Sequence, residues 1–399
     1  MLLLLLGVVA GLVPSTQLKA ATLEAPATTP AATEEVQLAE CPLTQWGEPI
    51  GDIITEQAVA RESEPAPFMF ELAPPKASSS SSEEKEEEES WLRENAWLVK
   101  ERMVSHGCVV LKGWELVKTP EGFRRAYEAL DLSPCLDPLH AVSARPMVDK
   151  KSAVYEAVNK ESRANFFIGM HNEFVGTRSP RAAMFVCFRA ADEGGEFLLA
   201  DGRRVFRDVD ADLLRRLYEK QIRYSVMELP FFGWVDALGP AKAPVAGVLK
   251  TVLEAAVNAK VDFDVSLQWL DRSKYQEAKT LQARAPSQPP VVRHPETKAP
   301  TWFCNVHSHS ALLRKKREDV YGAEIFESGA SRINKSDMYF GDDENLTEED
   351  LLHLDEITTK HTVFLKMKPG DAVLVDNYQT MHGRNVFKGK RKHAVTWFE

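Results

Sequence analysis

The second half of the chain returns again and again to short apolar runs of strand length: "AAMFVCFRA", "EFLLAD", "TWFCNVHSH", "HTVFLKM", "DAVLVD" and "KHAVTWF". Two helical patterns interrupt them, near 210–221 and 347–358. Strands that do not alternate regularly with helices point to a mainly antiparallel sandwich or barrel with helices packed outside. Upstream, "WLRENAWLVKERMVSHG" has helical spacing and ends at Gly107, a C-cap residue. "CVVLKGW" follows as a short strand and "TPEGFRRAYEAL" as a capped helix. Neither GxGxxG nor a Walker A sequence is present, which disfavours nucleotide-binding folds.

The 399 residues suffice for one large domain or two ordinary ones. A net charge of −10 argues against nucleic acid or an anionic membrane as the main partner and leaves a small molecule. The five cysteines, Cys41, Cys108, Cys135, Cys187 and Cys304, are scattered without CxxC spacing and read as buried thiols. "MLLLLLGVVAGLV" opens the chain and is short for a bilayer span. Residues 1–22 read as a signal or targeting segment, which implies a secretory-pathway or organelle destination. Membrane contact is expected only if that segment stays uncleaved, and a cytoplasmic location is the alternative. Residues 23–90 read as linker and low-complexity acidic sequence that could include the first segment of the domain. Within them, "ASSSSSEEKEEEES" is expected to stay solvated and flexible. Residues 91–399 form the folded domain in this reading.

Three His-x-acid sequences and one His-x-His occur. His353-Leu354-Asp355 lies in a helical pattern, where residues two apart do not share a face, so it is expected to be a surface pair. His294-Pro295-Glu296 sits in a proline-rich stretch and reads as a solvated turn between strands. His307-Ser308-His309 follows a strand-like run and would put two imidazoles on one strand face. His171-Asn172-Glu173, inside "FFIGMHNEFVG", has an apolar strand-like approach that sends both side chains to one face. That pair is either a buried ion pair or two ligands of a metal.

The far end, "KPGDAVLVDNYQTMHGRNVFKGKRKHAVTWFE", shifts the balance. A Pro-Gly turn leads into an apolar strand, Asp376-Asn377 turns toward His382, and Arg391 opens the last strand. Two histidines and one carboxylate on one face of an octahedral iron leave three positions open, the non-heme Fe(II) oxygenase arrangement. Those positions would take a bidentate 2-oxo acid and O2. A guanidinium is the matching partner for the acid's distal carboxylate.

From about Trp91 to Glu399 the chain resembles the TauD/TfdA-like branch of Fe(II)/2-oxoglutarate-dependent dioxygenases, nearest the clavaminate-synthase-like members. The carrying segments are "HGCVVLKGW", "MHNEFVGTRSPRAAMFVCFRAADEGGEFLLADGRRVF", "TWFCNVHSH", "YFGDDENLTEEDL" and "GDAVLVDNYQTMHGRNVFKGKRK", in the family's order. The resemblance implies a double-stranded β-helix (jelly roll, cupin-like) core, mainly β with flanking helices. It implies Fe(II) on His171, Glu173 and His382, and 2-oxoglutarate anchored by Arg391. The implied reaction hydroxylates, desaturates or cyclises a small molecule, such as an amino acid or amino-acid-derived metabolite, with release of succinate and CO2.

Two departures stand out. Where the family commonly has Gly-Gly-(Glu/Asp)-Thr, with a threonine that helps bind 2-oxoglutarate, this chain reads "GGEF" and places Phe197 there. Where an asparagine often follows "WF", Cys304 stands with Asn305 next to it. Asn172, Arg384, Cys304 and Asn305 are the candidate substrate-side residues. Tyr155 reads as packing, Gly194-Gly195 as a tight turn, and Asp376 as a group that caps or hydrogen-bonds near the turn and orients the distal histidine. The loss of the threonine keeps open a second reading, a non-catalytic metal-binding jelly-roll protein with a regulatory or ligand-binding role.

Overall fold

The computed structural model describes residues 38–75, 81–138, 147–149, 154–156, 164–230, 233–259, 264–270, 280–321 and 337–399. The apolar leader lies outside them. Among the described residues no helix is long and apolar enough to cross a membrane.

Two sheets carry the fold. The major sheet orders Phe70–Leu72, Cys108–Leu111, Ala372–Asp376, Ala182–Arg189, Lys392–Phe398, Val154–Glu156 and Met147–Asp149, with Pro134–Cys135 also paired to Lys392–Phe398. The minor sheet orders Thr362–Leu365, Phe197–Asp201, Thr380–Arg384 and Ile168–His171, antiparallel throughout. The strands are nearly continuous apolar runs because both faces of each sheet are covered. Ala183, Phe185, Cys187, Val373, Val375, Val395 and Trp397 face inward and meet Phe197, Leu199 and Leu365 of the minor sheet. The alternate residues Met184, Val186, Leu374 and Phe398 pack on the helices Ala96–His106 and Pro120–Ala129. Behind the minor sheet, Leu198, Ala200 and Met381 meet the helices Gly202–Asp208, Ala211–Lys220 and Glu348–Lys360. Period-2 burial on both faces of antiparallel strands produces the expected β-sandwich core with helices outside. Tyr155 is one of its packing residues, its ring 5.0 Å from that of Trp397.

The helical expectations hold at 211–220 and 348–360, where Thr347 and Asp350 form a full capping box. The helix before Gly107 also forms, and Gly107 adopts φ 78 at its C-cap.

The acidic run departs from expectation. Residues Ser81–Glu94 form a helix that packs on the helix Pro120–Ala129. Glu88 is buried and accepts from the backbone N–H groups of Glu115 (3.0 Å) and Leu116 (2.6 Å). Glu89 pairs with Arg93 and Arg125. Like charge keeps such a run solvated only until specific cations and unpaired N–H groups fold against it. The compact unit accordingly spans Gln37–Glu399, with the helix Ile53–Glu62 near its start.

Candidate metal centre

The site begins with strand register. Thr380–Arg384 pairs antiparallel with Ile168–His171 so that His382 lies directly opposite His171. Opposed residues share a face, and the two imidazole centroids are 4.4 Å apart. After His171 the chain leaves the strand, and Glu173 brings its Oε1 to 3.5 Å from His171 Nε2 and 3.4 Å from His382 Nε2. One ligand atom from each of the three lies within 4.8 Å of the others. Adjacent donors on a first-row metal ion stand about 3 Å apart, so this spacing suits one ion. His171 Nδ1 lies 2.8 Å from the Gly169 carbonyl. A carbonyl only accepts, so the proton sits on Nδ1 and the Nε2 lone pair is the one offered toward Glu173. Two imidazoles and one carboxylate are the donor set of non-heme Fe(II) oxygenases, and the residues fit that metal.

The Glu173 side is held by amides. The Asn377 side chain accepts from Glu173 N–H (2.8 Å) and donates to the carbonyls of Glu173 (2.8 Å) and Pro180 (2.9 Å). Asn172 and Asn305, the substrate-side candidates, are joined to each other: Asn172 N–H donates to Asn305 Oδ1 (2.8 Å), and Asn305 Nδ2 donates to the Asn172 carbonyl (3.0 Å). The Asn172 amide also donates to the Asn377 carbonyl (2.7 Å). These buried groups fix the backbone that presents the ligands. Cys304 is buried in the core cluster, its thiol 3.5 Å from the Tyr224 hydroxyl. Arg384 donates to the Phe166 carbonyl at 2.5 Å and lies 4.8 Å from the Phe387 ring.

The His382 side is aromatic. Phe185 lies 4.7 Å and Phe197 6.0 Å from the His382 ring, and the two phenyls are 4.6 Å from each other. Phe197 thus closes one wall of the metal position. Cys187 follows Phe185 two residues on, on the same face of the strand, and Arg391 interacts with Cys187 beyond it. Arg391 is buried, which pulls its guanidinium down to about 10, and it lies 5.9 Å from the Phe387 ring. It sits immediately before the strand Lys392–Phe398. Gly195 is required by its φ of +72 and by close neighbours: a Cβ there would stand 3.0 Å from Ala191 Cβ and 3.1 Å from Phe387 Cβ. Gly194 and Gly195 therefore serve a turn, as expected.

Asp376 hydrogen-bonds near its turn as expected, accepting from Tyr378 N–H at 3.0 Å, but it is anchored to more than that turn. Its carboxylate bonds Arg181 (2.6 Å), His294 (2.9 Å) and the Gln379 amide (2.9 Å). Burial raises its affinity for a proton, but His294 and Arg181 outweigh it and hold the group at about 2. His294 is consequently buried in this cluster, where a solvated turn was expected, although it does join the strands Val291–Arg293 and Pro300–Trp302. Arg181, Asn377 and Phe185 carried no local sequence signal.

The remaining histidine sequences separate. Val306–His309 is a helical turn, not a strand. His307 Nδ1 accepts from Met170 N–H at 3.0 Å, and Nε2 stands 2.8 Å from Asp355. Burial and Arg317 push His307 down to about 4. Asp355 also pairs with Lys316 and Arg317, so it is turned into the fold, while His353 Nε2 accepts from Asp210 N–H. His309 comes beside His171, and burial with that neighbour pushes it down to about 4.

Comparison with known proteins extends the geometry to a family. The sequence model described as "Taurine catabolism dioxygenase TauD, TfdA family" matches residues 83–397. The dapdiamide synthesis protein DdaC of Enterobacter agglomerans is 25% identical over 218 residues, 54% of this chain and 60% of that protein, so less than two thirds of its length is covered. Among solved structures, PvcB of Pseudomonas aeruginosa is similar at 14% identity and a TM-score of 0.46, over 84% of this chain and 86% of that one. A taurine dioxygenase of Burkholderia xenovorans is similar at 14% identity and a TM-score of 0.41, over 84% and 88%. The match runs from the acidic helix that carries Glu88 to the strand that follows Arg391, and on that span the chain belongs to the TauD/TfdA family, whose members are Fe(II)/2-oxoglutarate-dependent dioxygenases.

Proposed function

We propose that this chain is an Fe(II)- and 2-oxoglutarate-dependent oxygenase that hydroxylates a small molecule, an amino acid or a metabolite derived from one. The observation that carries this reading is the convergence of His171, Glu173 and His382 within 4.8 Å. His171 and His382 would bind the metal through Nε2, and Glu173 through Oε1. Arg391, along the same inner face, would take the distal carboxylate of 2-oxoglutarate as a charge-assisted pair. When bound, iron and 2-oxoglutarate supply the oxidising power: O2 is consumed, one oxygen atom leaves in succinate alongside CO2, and the other enters a substrate C–H bond. The chain's own residues then do three things. The Gly169 carbonyl keeps the His171 proton on Nδ1, away from the metal side. Asn377 holds the Glu173 backbone so that its carboxylate needs no search for its position. Phe185 and Phe197 exclude water from the wall beside His382.

One observation favours a second reading, a metal-binding jelly roll that no longer turns over 2-oxoglutarate. Phe197 replaces the hydroxyl that the family commonly directs at the co-substrate, and its ring is packed against Phe185 and His382. Anaerobic protein with Fe(II) separates the two. The oxygenase reading expects a weak visible charge-transfer band on adding 2-oxoglutarate, and substrate-dependent succinate when air is admitted. Iron uptake with no band and no succinate from a panel of free amino acids would establish the second reading.

A further inference from the structure

The helical turn Val306–His309 lies outside the donor set but is built directly against it. A Cβ at Gly169 would stand 2.4 Å from the His307 carbonyl oxygen, so glycine lets the turn seat on the ligand strand. The bond from Met170 N–H to His307 Nδ1 fixes the turn along that strand. Two residues on, on the turn seated against the His171 strand, the His309 ring lies 4.9 Å from that of Tyr224. Its Nδ1 faces back into its own turn, 3.3 Å from the Asn305 carbonyl and 3.0 Å from Ser308 Oγ. Since the carbonyl only accepts, Nδ1 carries the proton and Nε2, on the opposite side of the ring, is an acceptor. Among the described residues nothing hydrogen-bonds that Nε2, and the residue is partly exposed. The carboxylate of Asp337, which caps Ala311 N–H at 3.1 Å, lends negative potential to the same ring.

We propose that His309 is a specificity-determining residue that accepts, through Nε2, a hydrogen bond from the ammonium group of an amino-acid-sized substrate held beside the metal centre. The proposal rests on the metal reading above and adds to it a requirement on the substrate, a cationic N–H donor. It also explains why the His-x-His sequence is separate from the donor set: His307 fastens the turn and His309 reads what enters.

The test uses the full chain with Mn(II), which binds like Fe(II) without turnover, and 2-oxoglutarate. Binding of the free L-amino acids is measured by calorimetry beside the same acids lacking the amino group. Mn(II) uptake is followed by its resonance signal in each variant. At least one amino acid is expected to bind, and its deaminated analogue at least tenfold more weakly. Removal of an acceptor facing a charged donor costs about tenfold or more, so His309→Leu should lose that much affinity. His309→Gln keeps an acceptor and should stay within about threefold. Mn(II) uptake should be the same in all three proteins, which also reports that the variants fold. Binding of no amino acid, or equal binding by His309→Leu, overturns the proposal while leaving the metal reading intact. Wild-type protein that takes up no Mn(II) would instead overturn the metal reading and this inference with it.

Discussion

Glu173 and His382 are held 3.4 Å apart by opposite materials. Around Glu173 the chain spends buried amides: Asn377, Asn172 and Asn305 bond the backbone on both sides of the ligand. Around His382 it spends two phenyl rings, Phe185 tilted against the imidazole and Phe197 stacked on it. The difference follows from where each ligand sits. His382 belongs to a strand whose own ladder satisfies its backbone, so its surroundings need only fill volume. Glu173 lies past the end of its strand, where buried N–H and C=O groups must find side-chain partners or cost about 1–3 kcal/mol each. Substitutions on the amide side should therefore move metal affinity as well as stability, and substitutions on the aromatic side should move stability alone.

A large effect is expected beneath the amide side, at Asp376. Its replacement by alanine leaves the half-buried Arg181 with only the exposed Glu296 as an anion and removes the carboxylate that His294 and Gln379 bond, a loss of about 3 kcal/mol in urea unfolding at neutral pH. Phe197→Ala should cost about 3 kcal/mol by opening a cavity between the sheets. Its Mn(II) affinity should change by no more than about threefold, because no ligand backbone loses a partner. Equal losses of metal affinity at Phe197 and at Asn377 would break the contrast. Acid unfolding probes the same ground. The folded-state value of Asp376 is about 2, below the ordinary carboxylate value near 3.9, so its stabilisation is full above about pH 4 and is lost as pH falls through 2. Wild-type stability should drop through that window, and Asp376→Asn should flatten the drop. Asn377→Ala should weaken Mn(II) about 10–100-fold, the usual range for a group that orients a ligand, and should also cost about 1–3 kcal/mol of stability for each buried backbone group that finds no new partner.

What the sequence revealed divides along the same line. His171 and Glu173 were legible as a His-x-acid sequence on an apolar strand-like run, although the strand ends at His171, and His382 was assigned beside them from the resemblance to the family. The sandwich was legible from the same kind of apolar run. The partners of buried charges were not. Nothing near Asp376 announces Arg181 or His294, which are 195 and 82 positions away in the chain. Nothing in "EEKEEEES" tells Glu88 from its neighbours until the N–H groups of Glu115 and Leu116 fold against it. Local pattern gives faces; only the assembled chain tells a polar side chain whom it meets. His309 falls between: its sequence invited attention, but the strand expected there is a turn, and the turn gives it a different neighbour.

The most direct test is metal stoichiometry and affinity, by calorimetry with Mn(II) under anaerobic conditions, for wild type, Glu173→Ala and His382→Ala. The account expects one ion per chain in the wild type and at least a hundredfold weaker binding in each variant, with cooperative unfolding retained. Binding as tight in the variants as in the wild type would place the metal elsewhere and contradict it.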